Sequence, residues 1–247
     1  MRLLATLFTT LLIASQSVGQ IELTKLSEST YICVDRYFAR ENSMFFIGPE
    51  HVTIIGATWT PATAEELYLN IREVTSKPIR EVINTNYHPD RAGGNGFWKE
   101  IGCEIHSTKL TYNLLKSDWQ SICDWTRASL KEYPENPLVL PSHVHEGSFE
   151  LQDGMIEVIY LGPSHTQDGV FVYLPKEKLL YGGCILKPYL GNLEQANLAE
   201  YPITLQKLKE RDIDIDHVIA GHGPAIHDSG LIDHYLYLLK ENAEHNH

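Results

Sequence analysis

Four short apolar runs in this chain each lead, within a few residues, to a side chain able to bind a metal ion. "EVIN" leads to His88 and Asp90, "VIYLGPS" to His165, "LLYGGC" ends on Cys184, and "HVIAG" to His222. Runs of this length, rich in Val, Ile and Tyr and bounded by Gly, Pro, Asn or Ser, read as buried strands. A fold for this chain must therefore gather several strand ends around one place. Strand-end loops on a rigid scaffold are where side chains converge while a cleft stays open.

The rest of the sequence supplies strands and helices in a repeated order. "YICVDRYF", "NSMFFIG" and "VTIIGA" read as strands between Tyr31 and Ala57, separated by turn signals such as Gly48-Pro49-Glu50. Thr60 is an expected N-cap, with Pro61 at the first helical position and Leu67, Ile71 and Val74 as an apolar stripe that stops before Pro78. "IREVINTN" follows as a short buried strand. Ser107 to Leu130 has helical character and stops at "EYPENP", where two prolines forbid helix. A second series, "FELQ", "MIEVIYLG", "VFVYLP" and "KLLYGGCIL", carries an Asp153-Gly154 hairpin turn. A helix around Tyr201 to Arg211, a strand in "IDHVIAGHG" and a helix near Leu231 to Leu239 complete it. Strands then helix, twice over, predicts two sheets packed together with helices outside. No Pro-, Gly- or Ser-rich linker divides residues 20–247, which read as one domain.

Residues 1–19 are set apart from that domain. Arg2, the apolar stretch "LLATLFTTLLIA" and the small residues of "SVG" form an expected export signal, too short for a stable membrane span. The predicted location is thus the periplasm. The formal net charge of -12 argues against nucleic acid or an anionic membrane as partner, since both require clustered Lys and Arg. A small molecule is the expected partner, and no sustained heptad or large apolar stripe asks for a second subunit, so a monomer is expected. The four cysteines, Cys33, Cys103, Cys123 and Cys184, are too sparse for a disulfide framework. A bridge among the first three, or three buried thiols, both fit the sequence.

Asp90, Cys184 and His222 would give zinc one oxygen, one sulfur and one nitrogen, leaving a fourth tetrahedral position for water or substrate. His88 and His165 remain as half of a neighbouring site whose third position is Asn86. An asparagine amide is a feeble zinc donor, so that second site should be weak. Each residue also has an ordinary reading alone: H-x-D as a turn-capping pair, His165 as a loop histidine, Cys184 as a small buried hydrophobe. Their recurrence at strand ends outweighs those readings. His143 and His145, in a proline-bounded loop, and His227, His234, His245 and His247 read as structural or solvated, though a two-histidine tail can bind metal weakly.

With "NTNYHPDRAGGN", "GPSHTQDG", "GGCILK", "LGN" and "GH" in order, and with "ENSMFF", "GATWTP", "KSDW" and "LIDHY" between them, the chain resembles the metallo-β-lactamases over essentially its whole length after the leader. Asn86, where most of the family has histidine, marks the resemblance to the mono-zinc, carbapenem-selective subclass. The resemblance implies a four-layer αβ/βα sandwich, with two mixed sheets, helices on the outer faces and a metal cleft at one edge. It also implies that Asp90, Cys184 and His222 hold one zinc, that Asn86, His88 and His165 line a weak, inhibitory second site, and that Lys187 pairs with the substrate carboxylate. Asn192 would assist through its backbone or amide, Arg91 would support the ligands, and Trp59 with the stretch from Trp119 to Pro134 would wall the cleft.

Hydrolysis of a strained cyclic amide needs an attacking water, stabilisation of the tetrahedral oxygen and a carrier for charge on the departing nitrogen. Of the candidates His88, Asp90 and His165, His88 is the expected base, because it is not needed as a ligand and is neutral near pH 7. Gly183 stands where members of the subclass carry asparagine, which leaves a broader spectrum as the alternative. Other hydrolases of this fold, acting on lactones or thioesters, carry H-x-H-x-D-H, from which Asn86 and Arg91 depart. A zinc-buffering protein would leave His88, His165 and Lys187 without a role.

Overall fold

Alternation along the central strands puts apolar side chains on both of their faces. In β2 (Thr30–Asp35) and β3 (Glu41–Ile47), Ile32, Val34, Met44 and Phe46 point one way while Cys33 and Phe45 point the other, and all are buried. A strand covered on both faces belongs to an inner layer.

The computed structural model describes residues 20–245. The first sheet has seven strands in chain order: β1 (Ile21–Lys25), β2, β3, β4 (Val52–Ile55), β5 (Ile79–Ile83), β6 (Glu104–Thr108) and β7 (His143–His145). Pairing is antiparallel as far as β4 and parallel from β4 to β7. The second sheet runs β13 (Ile226–His227), β12 (His217–Ala220), β11 (Leu179–Gly183), β10 (Phe171–Leu174), β9 (Ile156–Ile159), β8 (Phe149–Leu151), with only β11 and β12 parallel.

Three apolar layers bind the four structural ones. Between the sheets, Ile32, Met44, Ile55 and Ile83 meet Val158, Val172, Tyr181 and Ile219. Outside the first sheet, Phe45, Ile54, Val82 and Ile105 receive Leu67 and Ile71 of α1 (Pro61–Val74) and Trp98 of α3 (Asn95–Glu100). Outside the second, Phe171, Leu180 and Val218 receive Leu205 and Leu208 of α5 (Tyr201–Glu210) and Ile232, Tyr235 and Leu239 of α6 (Gly230–His245). Each fully buried Leu or Ile contributes ~1.5–3 kcal/mol, so these layers fix the sandwich.

α1 starts as expected: Thr60 accepts from the backbone of Thr63, and the Thr63 hydroxyl accepts from the backbone of Thr60. β6 and β1 are strands beyond those expected, and α4 (Lys109–Ser129) begins two residues later than Ser107 because the strand runs directly into the Thr108 cap. His143 and His145, expected in a loop, form β7 instead, paired in parallel with β6. The proposed leader and His247 lie outside the described residues.

The four cysteines are all free and buried, which resolves the open question about Cys33, Cys103 and Cys123 in favour of separate thiols. Among the described residues no helix is long and apolar enough to cross a membrane.

Candidate metal centre and cleft

Backbone packing delivers the donors. Parallel pairing of β11 with β12 slips between Tyr181 and Gly183, which re-aims the chain as it leaves the sheet for Cys184. Gly183 has φ +51°, the left-handed region that favours glycine. The backbone N–H of Gly221 donates to the Gly183 carbonyl at 2.9 Å, and a Cβ on Gly221 would lie 2.3 Å from that carbonyl. Only glycine permits the approach that sets Cys184 beside His222. Asp90 comes from the other sheet: after β5 the chain turns through His88 into the short helix α2 (Pro89–Ala92).

The three expected ligands meet. Cys184 Sγ is 3.2 Å from Asp90 Oδ2 and 3.7 Å from His222 Nε2, and the latter two atoms are 3.2 Å apart. His222 Nδ1 donates to the Arg40 carbonyl at 2.8 Å, which leaves Nε2 as the atom turned toward the other donors. Orienting a ligating histidine through its second nitrogen is the usual support of a metal site. A carboxylate, a thiol and an imidazole so arranged fit zinc in donor chemistry and number, with one position open.

Arg91 supports this group from below and is fully buried. Its Nε lies 3.2 Å from both Cys184 Sγ and Asp90 Oδ2, Nη1 pairs with Glu41 and the Asn42 carbonyl, and Nη2 donates to the Gly221 carbonyl at 2.9 Å. Burial opposes charge on Asp90, yet Arg91 and His222 hold its carboxyl well below the usual range. Burial likewise opposes charge on His222, but Asp90 and Cys184 outweigh it and push the imidazole up to about 9. A cation is therefore favoured where the donors meet.

Above the trio lies a cleft of about 270 Å³. His88, His165, Lys187, Asn192 and Trp59 line it with the trio, as do Ile122, Trp125, Thr126 and Ser129 of α4. His88 and His165 rings stand 5.3 Å apart, edge to face, and His88 Nε2 has no hydrogen-bond partner. Burial pushes His88 down to about 4 against the pull of Asp90, so its imidazole is neutral at pH 7. Lys187 Nζ lies 3.4 Å from His165 Nδ1, and burial pushes the ammonium down to about 8. Asn192 is exposed, and its side-chain oxygen accepts from the backbone of Glu194 at 2.8 Å.

Two expected residues sit differently. Asn86 is buried and does not line the cleft, because its side-chain oxygen accepts from the His88 backbone at 3.0 Å and shapes the turn. Trp119 also lies behind the wall, its indole N–H donating to the Asn136 carbonyl at 2.8 Å. Sequence reasoning left Glu41, Asn42 and the Arg40 carbonyl without a role. Their signal is the polar pair Glu41-Asn42 opening the otherwise apolar "SMFFI".

Two packed sheets that bring a zinc-type donor trio to the floor of an open cleft define a metal-dependent hydrolase. The chain belongs to the metallo-β-lactamase superfamily, whose model matches residues 37–222. It is 28% identical over 237 residues to the metallo-β-lactamase type 2 of Bacillus cereus, covering 92% of this chain and 86% of that one. The solved structure of VMB-1 is 26% identical with a TM-score of 0.79, covering 92% of this chain and all of that one. The metallo-β-lactamase from Pontibacter korlensis is 27% identical with a TM-score of 0.76, covering 90% and 99%.

Proposed function

We propose that the chain hydrolyses the amide bond of β-lactams, carbapenems before penicillins and cephalosporins, with one zinc held by Asp90, Cys184 and His222. The observation that carries this reading is the meeting of three unlike donors beside His88, whose Nε2 is free within the cleft. Zinc, when bound, supplies the Lewis acid that takes up negative charge on the departing lactam nitrogen.

The protein's own groups perform the rest. His88, neutral and unpaired, accepts a proton from the attacking water. Asp90 is a poor competitor, since Arg91 and His222 hold it ionised and weakly basic. Lys187 offers a buried ammonium to the substrate carboxylate, with His165 fixing its position. Asn192 contributes through its amide nitrogen or backbone, and Trp59 and Trp125 give the substrate an apolar wall.

Asn86 holds the chain to one productive zinc: its oxygen is committed to the His88 turn, so His88 and His165 alone would bind a second ion weakly and inhibit. We read the protein as an exported periplasmic monomer, residues 20–247 forming its single domain, that protects its host from β-lactams. Gly183 supports a second reading. A glycine beside Cys184, where the mono-zinc subclass that the chain resembles carries asparagine, favours a broader spectrum over strict carbapenem selectivity.

Zinc titration of metal-free protein tests these readings, with a carbapenem, a penicillin, a cephalosporin and a lactone and thioester panel as substrates. Carbapenem turnover is expected to peak when the Cys184 site, followed by its sulfur-to-metal absorption, holds one zinc, and to fall beyond it. Turnover of penicillin and cephalosporin matching the carbapenem would select the broader reading. Absence of β-lactam hydrolysis with that site filled would overturn the function, and a further rise once it is filled would overturn the mono-zinc assignment.

A further inference from the structure

Away from the cleft, the parallel edge of the first sheet gathers a second set of metal-capable side chains. Glu104 and His106 lie on one face of β6, and His143 and His145 on the same face of β7, with His106 directly opposite His143 in the register. None of the four lines the cleft. The imidazoles of His106 and His143 are stacked with centroids 4.8 Å apart, and ligand atoms of Glu104, His106 and His143 all lie within 4.8 Å of one another.

Each ring is held through one nitrogen and bare at the other. His106 Nδ1 lies 3.1 Å from His145 Nε2, and the His145 ring is itself pinned face to face on Phe149 at 3.7 Å. His143 Nδ1 lies 3.2 Å from Ser142 Oγ, whose hydroxyl proton goes to the Ile105 carbonyl, so this nitrogen is the donor. The two Nε2 atoms then point at a single carboxylate oxygen, Glu104 Oε2, at 3.8 Å for His106 and 3.9 Å for His143.

Those distances are too long for hydrogen bonds. His106 is only 5% exposed, and its Nε2 has no hydrogen-bond partner. A buried ring nitrogen without a partner, facing a carboxylate, is satisfied by a cation held between the two. Zinc bonded at about 2.0–2.1 Å to each donor would set the carboxylate oxygen roughly 3.3 Å from each imidazole nitrogen, about half an ångström closer than the 3.8 and 3.9 Å found. The Glu104 side chain, 58% exposed, is free to make that move.

We propose that Glu104, His106 and His143 form a second zinc site, with His145 and Ser142 orienting the two imidazoles, that clips the edge strand β7 to β6. The donor set is two nitrogens and one oxygen, chemistry that suits zinc and also copper(II) or nickel(II). It contains no sulfur, which separates it in any spectrum from the Cys184 trio. Because β7 is three residues long and at the sheet edge, a bound ion would supply much of what keeps it paired.

The test compares wild type with His143→Ala and Glu104→Gln, both at exposed positions where folding is little disturbed. Metal-free proteins are brought to equilibrium by dialysis against graded free zinc, and bound zinc per chain is measured. His143→Ala is expected to bind one zinc fewer than wild type, and Glu104→Gln to bind that ion at least tenfold more weakly. In a parallel cobalt(II) titration, the sulfur-to-metal absorption of the Cys184 site is expected to be the same in all three proteins, while an equivalent without that absorption disappears from His143→Ala. Equal zinc content and affinity in wild type and His143→Ala would overturn the proposal.

Discussion

His88 and Asp90 are two residues apart in one turn, yet their surroundings drive them in opposite directions. Burial leaves His88 neutral, while Arg91 and His222 keep Asp90 ionised in the same low-dielectric environment. Such a divergence separates a proton acceptor from a metal-binding anion. His88→Ala is accordingly expected to lower kcat by about 10²-fold or more while zinc content, measured on the same sample, stays at that of wild type. Near-full turnover at wild-type zinc content would remove His88 from the mechanism. Asp35 shows the same physics away from the chemistry. It is fully buried, one oxygen accepts from the Tyr37 backbone at 2.8 Å and the other has no partner, and burial pushes its carboxyl up to about 7. The unfolded chain releases this proton near pH 4, so stability falls as pH rises from about 4 to 7, and the full penalty stands above 7. Asp35→Asn should therefore raise stability by on the order of 1–3 kcal/mol at pH 8 and far less at pH 5. Urea unfolding at both values checks it, and an equal gain at both would contradict the titration.

At the scale of elements, the start of α1 is the clearest case of local chemistry fixing structure. Removing its cap with Thr60→Ala is expected to cost about 1 kcal/mol in urea unfolding, with zinc stoichiometry unchanged. A cost below a few tenths would mean the Leu67 and Ile71 contacts hold the helix without it. α1 was legible because cap, proline and apolar stripe all point the same way. β6 was hidden because Glu104–Thr108 passes into α4 with no glycine or proline to mark the change. β7 was hidden because His-Val-His carries no buried apolar residue, and pairing with β6 alone makes it a strand. In the site, the donors could be read because each follows an apolar run. Their supports could not, since Glu41 meets Arg91 across 50 residues and Asn42 meets Ala220 across 178. No local pattern encodes contacts of that range. Asn86 was found, but its commitment to the His88 backbone depends on the fold of the turn itself.

The molecule as a whole is two sheets, hydrogen-bonded to each other under the cleft. Asn42 of the first sheet donates through its side chain to the carbonyls of Ala220 at 2.7 Å and Gly223 at 3.1 Å, and through its backbone to Gly221 at 2.8 Å. Tyr181 of the second sheet returns a hydrogen bond to the Asn42 carbonyl at 2.8 Å. These bonds sit directly beneath His222. Asn42→Ala is expected to destabilise the protein by about 1–3 kcal/mol and also to weaken zinc binding, because the two carbonyls its side chain satisfies, at the end of β12 and in the turn that follows, bracket His222. Calorimetric titration with zinc distinguishes this from a purely structural loss: unchanged affinity in the folded variant would show that the seam does not position the ligand.

The contact of Gly221 with Gly183 sets how far this protein can diverge and still keep its chemistry. Sulfur and imidazole leave from neighbouring backbones, so the spacing of those backbones follows the interstrand repeat of about 4.8 Å rather than the choice of residues lining the cleft. Cleft walls can then be exchanged through mutation to suit new antibiotics while the donor spacing is inherited unchanged. At 28% identity to its Bacillus cereus relative, the chain has altered most of its positions. The constraint on further drift is a pair of missing side chains.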